Sequence, residues 1–388
     1  MFDLTSLLQP YSEKEFLENN WTKKAIAISG KGRKDFTHLF SWEKLNSLLN
    51  FHQIQYPDLR LAFDGQVLDR KENNNLTQWC QKGATLIIDQ IHQRIPEISR
   101  FASKISYELG YSTQVNAYCS WSNKQGFSRH YDTHDVFILQ VEGSKQWYIY
   151  TDTLKYPLPT QKSASFIPPE EEAYLSCILQ PGDVLYIPRG HWHYAVAKNE
   201  PSIHLTLGIH CKTGIDLLEW LISKLKHREE WRNSLPLRIK QNSLDLSIKS
   251  LIQDLNQYIN DQNISEEYNS YLNSLGKSID RYAFPYQAGF KIFNNGVATK
   301  FKVPQFQRLK ISEISDDSGY KILVSGKEVS IKGVPKHLVE NLFSRETFTG
   351  KDVISWLPDY DWEIDIIPML SNLVREGIIF VESRIEKR

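Results

Sequence analysis

Between residues 111 and 210 the chain alternates short, β-branched, apolar runs with Gly and Pro. No other stretch limits the fold as strongly. The runs are STQVNAYCSW, HDVFILQVEG, KQWYIY, CILQPGDVLYIP, HYAVA and SIHLTLGIH. Several short strands closed by turn signals predict a β barrel or sandwich. Six of the 11 histidines fall between 130 and 210, far more than an even scatter would place there. The β region is therefore where chemistry is expected.

The flanks read differently. Ser12 caps a helix through EKEFLENNW, and Ser41 precedes WEKLNSLL with Trp42, Leu45, Leu48 and Leu49 at helical spacing. LRLAFDGQVLD reads as strand, turn and strand around Asp64-Gly65, ATLIIDQI as a buried strand, and ISRFASKISYELG as a helix. After Cys211 the pattern turns helical. Ile215, Leu218, Leu221, Ile222 and Leu225 recur with a helical period, as do Leu246, Ile248, Leu251, Leu255 and Ile259. Such amphipathic helices either cover a sheet or form a dimerisation unit. From about residue 285, VPKHLVENLF, TGKDVISWL and WEIDIIPMLSNLVREG read as three helices ahead of a terminal strand, IIFVE, which resembles a winged helix. Its third helix sets Arg375 against Glu363, Asp365 and Glu376, an acidic face that repels phosphate. Nucleic-acid binding is not expected.

Bulk composition narrows the classes. A length of 388 residues suggests two or three domains. Lys+Arg and Asp+Glu are both 46, so no global basic field favours nucleic acid. Cys80, Cys119, Cys177 and Cys211 are scattered without a CxxC pair, which argues against a zinc knuckle and suits a reducing cytosol. The amino terminus lacks the pattern of a secretory signal, and no run approaches the roughly 18 apolar residues that span a bilayer. A cytoplasmic protein without a membrane partner is the expectation.

In His130-Tyr131-Asp132, read as a strand, positions i and i+2 point to one face, so His130 and Asp132 can converge on one ion. His134 shares that parity but lies roughly 13 Å along the strand, too far for the same ion. A third ligand must come from a distant strand. PRGHWHYAV offers His191 and His193, and spacing alone leaves both open. Two imidazoles and one carboxylate with open positions favour Fe(II) oxygen chemistry, with zinc a chemical alternative. Lys145 shares parity with the apolar Trp147 and Ile149. Burying its ammonium demands an anion, which a dicarboxylate such as 2-oxoglutarate would supply.

The pieces NAY (116–118), QGFxxHYDTHDVFILQVEGSKQW (125–147) and QPGDVLYIPRGHWH (180–193), with FLENNW and PDLRLAFDG upstream, resemble the JmjC-domain ribosomal oxygenases of the cupin superfamily. The resemblance covers essentially the full length. It implies a mixed α and β protein: a double-stranded β-helix catalytic domain over 1–210, a helical dimerisation domain over 211–284 and a winged-helix-like domain over 285–388. It implies Fe(II) held by His130, Asp132 and His193, and it selects His193 over His191. It implies Lys145 on the distal carboxylate of 2-oxoglutarate, with Asn116 and Tyr118 lining the co-substrate pocket. With O2, 2-oxoglutarate would be converted to succinate and CO2 as an amino-acid C–H bond is hydroxylated, on Arg or His of a ribosomal protein or on another peptide such as a natural-product precursor. Trp121, Tyr131, His134 and Trp192 are expected to form a polar-aromatic rim. A homodimer is expected. The competing classes are a non-catalytic cupin scaffold and a winged-helix regulator. An intact ligand triad with Lys145 opposes the first, and the zero net charge gives the second no support.

Overall fold

The structure is a computed structural model that describes residues 2–122, 124–237, 243–275, 282–306, 309–314, 319–324 and 327–382. It divides into two compact units, Met1–Cys211 and Lys212–Arg388.

The first unit opens with helices α1 (Leu4–Leu8) and α2 (Glu13–Asn19), strand β1 (Ile26–Ile28) and helix α3 (Trp42–Phe51). Ser12 and Glu15 form a reciprocal cap on α2, and Ser41 caps α3, as the sequence suggests. Strands β2 (Leu59–Phe63) and β3 (Gln66–Val67), helix α4 (Leu76–Lys82), strand β4 (Thr85–Ile88) and helix α5 (Pro96–Leu109) follow. The barrel strands are β5 (Ser112–Ser120), β6 (Asp135–Glu142), β7 (Lys145–Asp152), β8 (Leu175–Leu179), β9 (Val184–Ile187), β10 (His191–Ala197) and β11 (Ser202–His210). They form an eight-stranded sheet in the order β1-β9-β6-β11-β5-β4-β2-β3 and a three-stranded sheet in the order β10-β7-β8. Every pairing in both sheets is antiparallel.

Strand alternation sorts side groups between two cores. On β6, Phe137, Leu139 and Val141 pack with α3 and α5 residues such as Leu45, Leu48, Phe101 and Ile105. Val136 and Ile138, pointing the other way, pack with Trp147, Ile149 and Leu179 of the smaller sheet. β6 is thus covered on both faces, which is why Val136–Leu139 reads as a continuous apolar run rather than an alternating one. On β11 and β5, Leu205, Leu207, Val115 and Ala117 face the helical side. His204, Thr206, Tyr118 and Ser120 must then face the space between the sheets.

One local expectation needs correcting. His130–Asp132 is not a regular strand, because β6 starts only at Asp135. His130 instead makes an isolated antiparallel bridge with His193, through N–H to carbonyl bonds of 3.0 and 2.7 Å. The Gly190 N–H donates to the Asp132 carbonyl at 2.9 Å. The segment pairs along the free edge of β10, so it stays extended without belonging to a long strand.

The second unit begins with helices α6 (Gly214–Leu225), α7 (Glu229–Arg232), α8 (Ser243–Asp261) and α9 (Ile264–Ser274). Strands β12 (Lys300–Lys302), β13 (Leu309–Glu313), β14 (Gly319–Val324) and β15 (Lys327–Lys332) follow. Helix α10 (Lys336–Ser344), strand β16 (Thr347–Thr349), helices α11 (Gly350–Trp356) and α12 (Ile367–Arg375) and strand β17 (Phe380–Val381) complete it. Leu338, Leu342, Val353, Leu370 and Leu373 bring the last three helices into one core. No helix among the described residues is long and apolar enough to cross a membrane.

Candidate metal and anion site

The ligand end of the first unit's pocket is built from two separate segments. Ligand atoms of His130, Asp132 and His193 all lie within 4.8 Å of one another. The two imidazole rings are 4.5 Å apart, and His193 Nε2 is 3.8 Å from Asp132 Oδ2. Each imidazole is oriented in the same way. His130 Nδ1 lies 2.8 Å from the Ser128 carbonyl, and His193 Nδ1 lies 3.0 Å from the His191 carbonyl. A carbonyl only accepts, so each Nδ1 carries a proton and Nε2 is the ring nitrogen left to serve as a ligand.

Electrostatics match that arrangement. Burial, reinforced by His130, pushes the His193 imidazole down to about 4, so it is neutral at pH 7. Burial alone would raise the Asp132 carboxyl. His134, His193, His130 and His210 outweigh that and hold it below the usual carboxylate value. The cluster therefore offers a neutral His193 imidazole and an ionised Asp132 carboxylate, with His130 beside them.

Across the same pocket, which spans about 480 Å³ including its mouth, Lys145 is buried at 4% exposure. Its ammonium donates to Ser120 Oγ at 2.9 Å and approaches His204 Nδ1 at 3.5 Å. Among the described residues no carboxylate forms an ion pair with it. Burial lowers the Lys145 ammonium to about 7. Ser120 Oγ lies 3.0 Å from Thr85 Oγ1, which makes a hydroxyl pair beneath the ammonium. His204 stacks on Tyr118 with ring centroids 4.8 Å apart and 2° between planes. Burial, then Lys145, hold His204 well below its ordinary value, so it is a neutral acceptor. Burial raises the Tyr118 hydroxyl, which stays protonated. Trp147 also lines the pocket, and its buried indole N–H has no hydrogen-bond partner among the described residues.

The remaining sequence candidates fall elsewhere. His191 points away from the cluster, with Nδ1 2.8 Å from the Tyr174 hydroxyl. His134 stacks on His210 at 4.8 Å and is not among the converging ligands. Asn116 Oδ1 accepts from the Gln90 N–H at 2.9 Å, and Asn116 is not among the residues lining the pocket. The expected aromatic rim does not form. Tyr131 and Trp192 are buried together on the outer face of the smaller sheet, where the Trp192 indole donates to Thr153 Oγ1. Trp121 stacks on Trp42 and donates to the Ala84 carbonyl. Conversely, sequence reasoning missed Thr85, Ser120 and His204. Only His204 carried a signal, because it alternates with Ile203 and Leu205 in β11.

A two-sheet barrel with a His/Asp/His cluster at one end defines a cupin-type core, and comparison with known families agrees. Residues 90–217 match the JmjC domain model. The protein resembles the JmjC-domain ribosomal oxygenases. It is 26% identical over 316 residues to a Drosophila mojavensis protein named bifunctional lysine-specific demethylase and histidyl-hydroxylase NO66, covering 77% of this sequence and 34% of the relative. It is 28% identical over 259 residues to human ribosomal oxygenase 1, covering 59% of this sequence and 38% of the relative. The matched segment thus spans about a third of the length of these relatives. Among solved structures, Escherichia coli YcfD superimposes with a TM-score of 0.63 at 19% identity, covering 96% of this protein and 98% of the other. A further YcfD structure, described as a ribosomal oxygenase in complex with cobalt and 2-oxoglutarate, gives 0.62. These matches show a shared mixed α and β fold with a JmjC/cupin core.

Proposed function

We propose that this protein is an Fe(II)- and 2-oxoglutarate-dependent oxygenase that hydroxylates a His or Arg residue of a ribosomal protein. One observation carries the reading: a set of two imidazoles and a carboxylate shares a pocket with a buried lysine that has no carboxylate partner among the described residues. The donor set fits Fe(II), since His130 and His193 each leave Nε2 to serve as a ligand, Asp132 is ionised, and three protein ligands leave positions open. The pocket fits a dicarboxylate, since no carboxylate among the described residues pairs with Lys145, and Ser120, Thr85 and Tyr118 supply hydroxyls around it. YcfD, described with cobalt and 2-oxoglutarate, supports both fits.

When bound, Fe(II) with O2 and 2-oxoglutarate supplies the oxidant for C–H hydroxylation, and the oxo acid leaves as succinate and CO2. The protein's own part is positional. Ser128 and His191 carbonyls fix the tautomers of His130 and His193. Lys145 and Ser120 anchor the distal carboxylate. Ile138, Phe127 and Trp147 exclude water from the pocket. The names of the relatives point to ribosomal proteins as substrate. Residues 211–284 act as the dimerisation domain in this reading, since α6 exposes Ile215, Leu218 and Ile222 and α8 exposes Ile248 and Ile252. Residues 285–388 form the winged-helix-like domain. Four free thiols among the described residues suit a cytoplasmic setting.

Mass spectrometry of ribosomal proteins from cells with and without the protein tests the substrate. The expected result is one residue, His or Arg, carrying one extra oxygen only when the protein is present. Ribosomal proteins of identical mass, with the extra oxygen on another peptide instead, would overturn the ribosomal assignment.

A further inference from the structure

The Asp64–Gly65 turn lies more than sixty positions from the ligand cluster and takes no part in the chemistry above, yet it touches the segment that orients His130. Phe63 pairs with Gln66, so Asp64 and Gly65 are a two-residue hairpin loop. Their φ values of +50° and +83° are those of a type I′ turn, which requires Gly or a small polar residue at both positions. The tip of the turn is laid directly against the next layer. Gly65 makes an isolated parallel bridge with Phe127, and the Ser128 N–H donates to the Gly65 carbonyl at 3.3 Å. A Cβ on Gly65 would lie 2.1 Å from Ser128 Oγ and 3.2 Å from Ser128 Cβ. Ser128 is the residue whose carbonyl holds His130 Nδ1.

The approach is one of three stitches on the strap Gln125–Ser128, which lines the pocket through Gly126 and Phe127. Gln125 bridges Val196 of β10. Gly126 lies so close to β4 that a Cβ there would meet Thr85 Oγ1 at 2.5 Å. At the third stitch, Gly65 sets the height of Ser128. His130 has its backbone fixed separately by the bridge to His193, so its ring angle depends on where the Ser128 carbonyl stands.

We propose that the Asp64–Gly65 turn is a positioning element for the metal ligand His130, acting through the backbone of Ser128. The inference rests on the metal reading above and adds a residue to it. Its signature is a loss of metal affinity without loss of fold. Partners that orient a ligating histidine typically account for about ten- to a hundredfold in metal affinity.

The test uses the full-length protein with Co(II), read by chelator competition and by the ligand-field spectrum, alongside circular dichroism. Gly65→Ala is expected to keep a native dichroism spectrum, bind Co(II) about ten- to a hundredfold more weakly and shift the ligand-field bands. Gly32→Ala is the control, because Gly32 also has a positive φ but nothing within 4 Å of its would-be Cβ. It is expected to bind Co(II) like the wild type. Ser128→Val crowds the same contact from the other side without left-handed backbone strain, and is expected to weaken Co(II) as well. It decides the matter if Gly65→Ala does not fold. A folded Gly65→Ala, or a folded Ser128→Val, with wild-type affinity and spectrum overturns the inference. A wild type that binds no Co(II) overturns the metal reading instead.

Discussion

Lys145 is the buried charge that most needs a partner of opposite sign. Its ammonium is lowered to about 7 by burial, against 10.5 for an ordinary lysine. At pH 8 the free protein therefore holds mostly a neutral amine, whereas a bound dicarboxylate favours the charged form. Binding must then take up a proton, so affinity falls as pH rises through about 7, by up to roughly tenfold per unit. Below about pH 6 the ammonium is already formed and the dependence vanishes. Calorimetry with 2-oxoglutarate at pH 8, in two buffers of different ionisation enthalpy, should report uptake approaching about one proton. Lys145→Met should abolish the uptake and weaken binding at least about tenfold. Unchanged proton uptake in that variant would remove Lys145 from the site. At this scale strand parity made much of the cluster legible in the sequence. His130 with Asp132, and Lys145 with Trp147, came from alternation alone. The same rule read strictly would have turned Tyr131 and Trp192 away from the pocket, since each sits beside a ligand and so on the opposite face. Ser120 and Thr85 had no such signal, because two hydroxyls on strands far apart in sequence become neighbours only when the sheet closes.

Among the elements, those buried on both faces were easiest to foresee. Val136–Leu139 of β6 and all of β9 are continuous apolar runs because one face meets the helices and the other meets the smaller sheet. The extended segment at His130 was harder. It is held by pairing to β10 rather than by its own pattern, and local sequence does not record that partner. The helices α6 and α8 are amphipathic, as their spacing suggests, but their apolar stripes are only partly covered. Leu218 and Ile222 remain 54% and 53% exposed. In the proposed reading a second copy would cover that face. Sedimentation velocity should find a dimer for the wild type and a monomer for Leu218→Asp combined with Ile222→Asp, with metal affinity unchanged. A wild type that stays monomeric at tens of micromolar would leave the dimerisation assignment without support.

At the scale of the whole molecule, all the proposed chemistry lies in the first unit, Met1–Cys211, with the JmjC match extending a few residues past it to 217. Among the described residues, the helical and C-terminal segments add nothing to the ligand set. Their place in the proposal is assembly and substrate delivery, which a ligand cluster does not encode. The central claim is that His130, Asp132 and His193 hold Fe(II) in the pocket that Lys145 completes for 2-oxoglutarate. It is tested most directly by anaerobic titration of the Fe(II)-loaded protein with 2-oxoglutarate, following the visible charge-transfer band of an iron-chelated oxo acid. The expected result is a saturable band in the wild type and none in Asp132→Ala at matched fold. A wild type that develops no band with both iron and 2-oxoglutarate present would contradict the claim.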